Sequence, residues 1–187
     1  VAVLADWQLA KITPDYDSSI CEERIQKFAE KVVHLTNIQR EDHPVKKLHV
    51  WALGDIVEGE LIFPGQSFLI DGGLYRQVTV DGPRIMATFL RTMLENFDSV
   101  HVSGVIGNHG AIGGRARKDH DPETNADRML YRIISLMFES EPRITFDIPD
   151  GHGERNWYTV DRIGNYSCLL CHGDQFRSFG SFYPFQK

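Results

Sequence analysis

No stretch of the sequence approaches the roughly 18 consecutive apolar residues of a membrane-crossing helix. The N-terminus also lacks the basic-then-apolar pattern of a secretory signal, so no membrane partner is expected. Cysteine is scarce, with three in 187 residues. An odd number in a chain this long does not make the disulfide framework of a secreted domain, and a reducing, cytoplasmic setting is expected. Positive charge is in deficit: 20 Lys and Arg against 26 Asp and Glu give a formal net charge of -6 and a pI of about 5.7. Such a surface is not built to coat nucleic acid, although a local basic patch can still hold phosphate. Internal repeats and low-complexity tracts are missing as well.

What remains is ordinary globular material, 42% hydrophobic and 25% charged. That is enough for one substantial core and too little for two comfortable ones, so residues 1–187 are read as a single domain. The chain opens on a strand at Val1 and closes at Lys187 after an aromatic, glycine-rich segment, as expected of a piece of a longer polypeptide, truncated at its C-terminus.

Apolar runs at 1–5, 48–53 and 100–106 read as buried strands. Between the first two, Ser18 or Ser19 can cap a helix whose apolar positions are Ile20, Ile25, Phe28, Val32, Val33 and Leu35, ending near Arg40. A second helix is expected from about 78 to 97, regular from Pro83 onward. A third is expected to start at Asp121-Pro122-Glu123, with Met129, Leu130, Ile133, Ile134, Met137 and Phe138 on its apolar face. Runs at 143–148, 157–160 and 166–171 read as an antiparallel set. The order implies an α/β protein with active residues on loops after parallel strands.

Four strand ends carry chemistry of one kind: Asp6, Asp55 after Gly54, Asn108-His109 after Gly107, and His172. Taken singly, the Asp and Asn residues are ordinary turn or cap formers and the histidines ordinary half-buried ones. Together, carboxylates, an amide and imidazoles at one sheet edge are the ligand types of a divalent-metal site.

The order Asp-x-Gln, Gly-Asp, Gly-Asn-His, His resembles the calcineurin-like metallophosphoesterases. The resemblance implies a β-sandwich of two mixed sheets flanked by helices, and a pair of divalent ions, Mn²⁺ first, with Mg²⁺, Fe or Zn²⁺ as alternatives. It places Asp6 and Gln8 on the first ion, Asn108 and His172 on the second, Asp55 between them, and His109 as proton donor. Two ions about 3.5–4 Å apart activate water and neutralise the phosphoryl oxygens, and a carboxylate is suited to bridge them. Three positions depart from the family pattern. Gln8 replaces a histidine, which favours Mn²⁺ or Mg²⁺ over Zn²⁺. Gly110 stands where an acidic residue holds the catalytic histidine, so either Asp119, His120 or Asp121 folds back to substitute or acid catalysis is weakened. The closing Gly-His-x-His is absent, and Gly151-His152-Gly153-Glu154 is no replacement because it precedes His172.

The residues after Gly54-Asp55 differ from the protein-phosphatase pattern, and the resemblance then points to phosphodiesterases and nucleases, including phage-type enzymes. The implied substrate is a phosphodiester in DNA or a nucleotide. Arg115, Arg117 and Lys118 follow His109 in a glycine-rich stretch and are the candidate phosphate contacts. Phe63, Phe68, Tyr75, Phe176, Phe179, Phe182 and Tyr183 can stack bases or pack a lid. Gln66 and Gln77 are candidate substrate contacts without a motif. Cys168-Leu169-Leu170-Cys171-His172 matches a haem-attachment string, but on a strand its cysteines point to opposite faces. The competing reading is a binding or scaffold protein whose metal site has decayed.

Overall fold

The computed structural model describes residues 1–113, 121–150 and 157–176. Four strands, β1 (Ala2–Leu4), β2 (Lys47–Ala52), β3 (Ser99–Gly104) and β4 (Ile144–Asp147), form one sheet in the order β1-β2-β3-β4, every pair parallel. Parallel neighbours require crossovers. These are α1 (Ser18–Arg40), then the short α2 (Leu74–Arg76) running through a π-helical turn at Gln77–Asp81 into α3 (Gly82–Asn96), and finally α4 (Ala126–Met137). A hairpin of β5 (Tyr158–Ile163) and β6 (Tyr166–Cys171) makes a separate antiparallel sheet.

The two expected mixed sheets are therefore, among the described residues, one wholly parallel and one wholly antiparallel. The run at 143–148 does not join the last two strands. β4 pairs with β3 through Val100↔Ile144 and Val102↔Phe146 because those apolar side chains share the face of the sheet that the helices cover.

The period-2 alternation explains how the sheet is used. Ala2, Leu4, Leu48, Val50, Ala52, Val100, Val102 and Ile144 are buried against Ile25, Phe89, Leu90, Met93, Leu130 and Ile134 of the helices. The residues between them on β2, β3 and β4, including His49, Trp51, His101, Ser103, Thr145 and Asp147, turn to the other face. There β5 supplies the complement. Asp161 receives the Trp51 indole N–H at 2.6 Å and lies 2.7 Å from His49 Nδ1 and 3.7 Å from His101 Nε2, while the Thr159 hydroxyl meets Asp147. Burial pushes the Asp161 carboxyl up, but these donors and the two imidazoles outweigh it and hold it below its ordinary value.

The cap of α1 is Asp17, whose carboxylate accepts the Ile20 N–H at 2.8 Å, and neither Ser18 nor Ser19. Ser18 instead gives its N–H and hydroxyl to Asp71, at 2.7 and 2.6 Å. Of the expected apolar face, Leu35 is 59% exposed, because the buried stripe of α1 is the narrow Cys21, Ile25, Ala29 row. α4 starts later than expected, capped by Asn125, while Asp121 caps a separate 3-10 turn at Pro122–Thr124. Its buried face carries Asp127, Leu130, Tyr131 and Ile134, and Met129 and Met137 are exposed.

Gln66 and Gln77, expected as substrate contacts, are almost wholly buried inside the insertion between β2 and α3. Gln77 accepts the Gly59 N–H at 2.9 Å and donates to the Gly72 carbonyl at 2.8 Å. Gln66 accepts the Ile62 N–H at 2.8 Å and donates to the Glu58 carbonyl at 2.8 Å. These amides satisfy backbone groups that a long loop would otherwise bury unpaired. No helix among the described residues is long and apolar enough to cross a membrane.

Candidate functional site

Pairing between β1 and β2 continues past the strand ends, and this continuation builds the site. The N–H groups of Asp6, Gln8 and Leu9 donate to the carbonyls of Gly54, Asp55 and Ile56 at 3.2, 2.9 and 2.9 Å, and Glu58 N–H returns to Leu9 O at 3.1 Å. To follow this path Asp6, Gln8 and Asp55 take left-handed backbone angles, φ 53°, 46° and 52°. Left-handed backbone costs an L-residue roughly 1–2 kcal/mol, and the side chains aimed by it here are three of the candidate ligands. The glycines beside them are steric requirements. A Cβ on Gly107 would fall 2.1 Å from Asp55 Oδ1, and one on Gly54, itself at φ 83°, would fall 2.5 Å from Gly107 N.

Asp127, in the first turn of α4, holds these loops together. Its fully buried carboxylate accepts N–H groups from Asp55 at 2.9 Å, Ile56 at 3.0 Å, Val57 at 3.2 Å and Gly107 at 2.9 Å. Burial raises its pKa to about 6 against those donors, which pull it down. Asn125 completes the clamp by donating to Gly107 O at 2.9 Å while accepting the Asp127 N–H at 2.9 Å. Neither residue was singled out from the sequence. The available signal was Asn125-x-Asp127, a helix cap followed by an acid that belongs to a buried face.

Donor atoms of Asp6, Asp55 and His172 all lie within 4.8 Å of one another. His172 Nε2 sits 3.1 Å from Asp55 Oδ2 and 3.2 Å from Asn108 Oδ1. Its Nδ1 lies 2.8 Å from the Leu53 carbonyl, a partner that fixes the ring with Nε2 facing the cluster. Burial lowers the His172 pKa, but the Asp55 carboxylate and the Leu53 carbonyl overcome it and lift the value to about 9. Three oxygens and an imidazole nitrogen thus converge, a donor set that fits a divalent cation. Gln8 stands apart, since its side-chain oxygen accepts Lys11 Nζ at 2.5 Å.

His109 adjoins this cluster. Its backbone N–H donates to Asp55 Oδ1 at 2.8 Å, and its Nε2 lies 3.9 Å from Asp55 Oδ2. The other ring nitrogen, Nδ1, is 3.0 Å from the Glu58 carbonyl and 3.2 Å from Glu58 Oε2. The Glu58 carboxylate beside Nδ1 raises the His109 pKa, and Asp55 adds to it against the cost of burial. The acid that orients His109 is therefore Glu58, itself buried and gripped by Gln66 Nε2 at 3.1 Å. Asp121 does not fold back to this position but accepts the Glu123 N–H at 3.0 Å, while Asp119 and His120 lie outside the described residues. No side chain fits at Gly110, where a Cβ would stand 2.4 Å from Asn125 Oδ1.

Arg115, Arg117 and Lys118 lie outside the described residues, as do Phe179, Phe182 and Tyr183. Phe63, Phe68 and Tyr75 are exposed on the insertion, and Phe176 meets Trp157 edge-on at 5.7 Å. No protein-family model matches this chain, and no curated protein does either.

Proposed function

We propose that this protein is a metal-dependent phosphoesterase that hydrolyses a phosphodiester in a nucleotide or nucleic acid, in the manner of the calcineurin-like metallophosphoesterases. The observation that carries the reading is the convergence of Asp6, Asp55 and His172 within 4.8 Å on turns that follow three different strands. The two sheets, joined by the Asp161 cluster, support the sandwich architecture that goes with it.

Asp55, Asn108 and His172 would hold one divalent ion. Asp6, sharing Asp55 and helped by Gln8 once it leaves Lys11, would hold a second. Divalent ions of this kind make water a nucleophile near neutral pH and neutralise charge on the phosphoryl oxygens. The chain's own contribution is to position and to move a proton. Glu58 fixes Nδ1 of His109, which leaves Nε2 directed at the carboxylate cluster and able to protonate the departing alkoxide. Asp127 keeps the Asp55 and Gly107 loops in register so that the ligands do not reorganise during turnover.

The test is hydrolysis of bis(p-nitrophenyl) phosphate with and without Mn²⁺. Turnover should need the metal and should disappear in Asp55→Asn. Absence of turnover with Mn²⁺, or turnover that survives the substitution, overturns the reading. The Lys11 bond to Gln8 favours a second reading, a binding protein with an impaired metal site. That reading requires Mn²⁺ to bind weakly as well as turnover to fail.

A further inference from the structure

Beside Asp6 and Gln8 the loop between β1 and α1 and the first turns of α1 enclose a cleft of about 440 Å³, within the size range of small-molecule sites. Trp7, Lys11, Tyr16 and Arg24 are among its lining residues. Two of these are cations, and among the described residues neither forms an ion pair. In a chain of net charge -6, these two cations share one concave wall.

Their geometry is defined. Ala10 takes φ 81° and Lys11 N–H returns to Gln8 O at 3.0 Å, a tight turn that brings the lysine back toward the site. Without a metal ion the ammonium gives one donor to Gln8 Oε1 at 2.5 Å and keeps two, and if Gln8 turns to a metal ion all three are available. The Arg24 guanidinium carbon lies 5.1 Å from the centroid of the Tyr16 ring, and among the described residues its N–H groups have no hydrogen-bond partner. Tyr16 is itself fixed by its hydroxyl, which donates to the Trp7 carbonyl. Asp6 and Asp15 line the same cleft, so its charge becomes net positive once Asp6 is given to a metal ion.

We propose that this cleft is an anion subsite in which Lys11 and Arg24 bind a second phosphate of the substrate, next to the one hydrolysed. This rests on the phosphoesterase reading for what lies beside it. The ligand class is a nucleotide bearing phosphates on both sides of one sugar, as in a nucleic acid chain, with Trp7 and Tyr16 walling the space between.

Calorimetric titration of this chain loaded with Mn²⁺ tests the proposal, with deoxythymidine 3′,5′-bisphosphate compared against deoxythymidine 5′-phosphate. The bisphosphate should bind roughly tenfold or more tightly, the scale of a charge-assisted hydrogen-bonded contact. The preference should fall to about twofold or less in Arg24→Gln and in Lys11→Gln, and should persist in Lys27→Gln, an exposed cation elsewhere on α1. Arg24 is exposed, so its variant should fold, and Lys11→Gln provides an independent arm. Equal affinity of the unaltered chain for the two nucleotides, or a preference that survives both substitutions, overturns the subsite. Turnover of bis(p-nitrophenyl) phosphate without the preference refutes the subsite alone. The preference without turnover refutes the phosphoesterase reading alone.

Discussion

Replacing Asp127 tests the claim that one buried carboxylate holds the loops of Asp55 and Gly107 together. Each of its oxygens accepts two backbone N–H groups, Oδ1 from Ile56 and Val57 and Oδ2 from Asp55 and Gly107. Asp127→Ala leaves all four donors without that partner in a site closed to water. A buried, unsatisfied polar group costs about 1–3 kcal/mol, and because four neighbours relax together the sum is taken as about 4–6 kcal/mol. In a chain of this length that lowers Tm by roughly 8–24 °C, at about 2–4 °C per kcal/mol. Asp127→Asn keeps one oxygen and turns an NH2 toward the other two donors, so it should fall about midway. Thermal unfolding followed by circular dichroism measures stability, and Mn²⁺ titration of the folded variants measures the site. Affinity should drop at least about tenfold, because Asp55 is aimed by the backbone that Asp127 holds. A Tm loss under about 3 °C in Asp127→Ala, or unchanged Mn²⁺ affinity in the folded Asn variant, would refute the reasoning.

The lifted pKa of His172, about 9, makes a proton the competitor of any metal at Nε2. Mn²⁺ affinity should therefore climb about tenfold per pH unit up to about 9, and a flat calorimetric profile from pH 6 to 9 refutes this. For the metal-free fold the sign is opposite. A folded pKa above the ordinary value of about 6.5 stabilises the protein below that pH, and the gain should vanish as pH rises through 9 in urea titrations. Glu58→Gln should slow esters with alkyl leaving groups about 10²-fold or more while sparing p-nitrophenyl esters, whose leaving group needs little protonation. Equal losses on both would mean that Glu58 does not act through His109. Gly107→Ala should abolish Mn²⁺ binding in calorimetry, since its Cβ would occupy the place of Asp55 Oδ1.

The strand-end residues were legible because each stands at a break between an apolar run and a turn, and the local pattern is enough to find such breaks. Asp6, Asp55 and His172 stand within 4.8 Å of one another, and Asn108 Oδ1 lies 3.2 Å from His172 Nε2. Gln8 reaches the same edge but spends its oxygen on Lys11, a neighbour three residues away that no ligand pattern includes. The partner of His109 was sought in the residues that follow it, whereas Glu58 comes from another strand's loop, a separation of 51 residues over which periodicity carries no information. Asp127 is not legible as a clamp, because an acid in a helix's first turn reads as a favourable dipole contact and only the packed structure shows it inside. β4 was misplaced because four-residue apolar runs look alike whether their neighbours run parallel or antiparallel.

The sheet's two faces differ in how readily they come apart. The helix side is closed by hydrocarbon. The hairpin is attached largely by Asp161 and its partners, with Leu170 buried and Val160, Tyr166 and Leu169 outward. Segments with few apolar contacts open sub-globally at a fraction of the cost of global unfolding. His172 follows directly from β6, so it leaves and rejoins Asp6, Asp55 and Asn108 with that hairpin. On the proposed reading, the lifetime of a bound cation would then follow breathing of this hairpin, while the core on the opposite face stays shut.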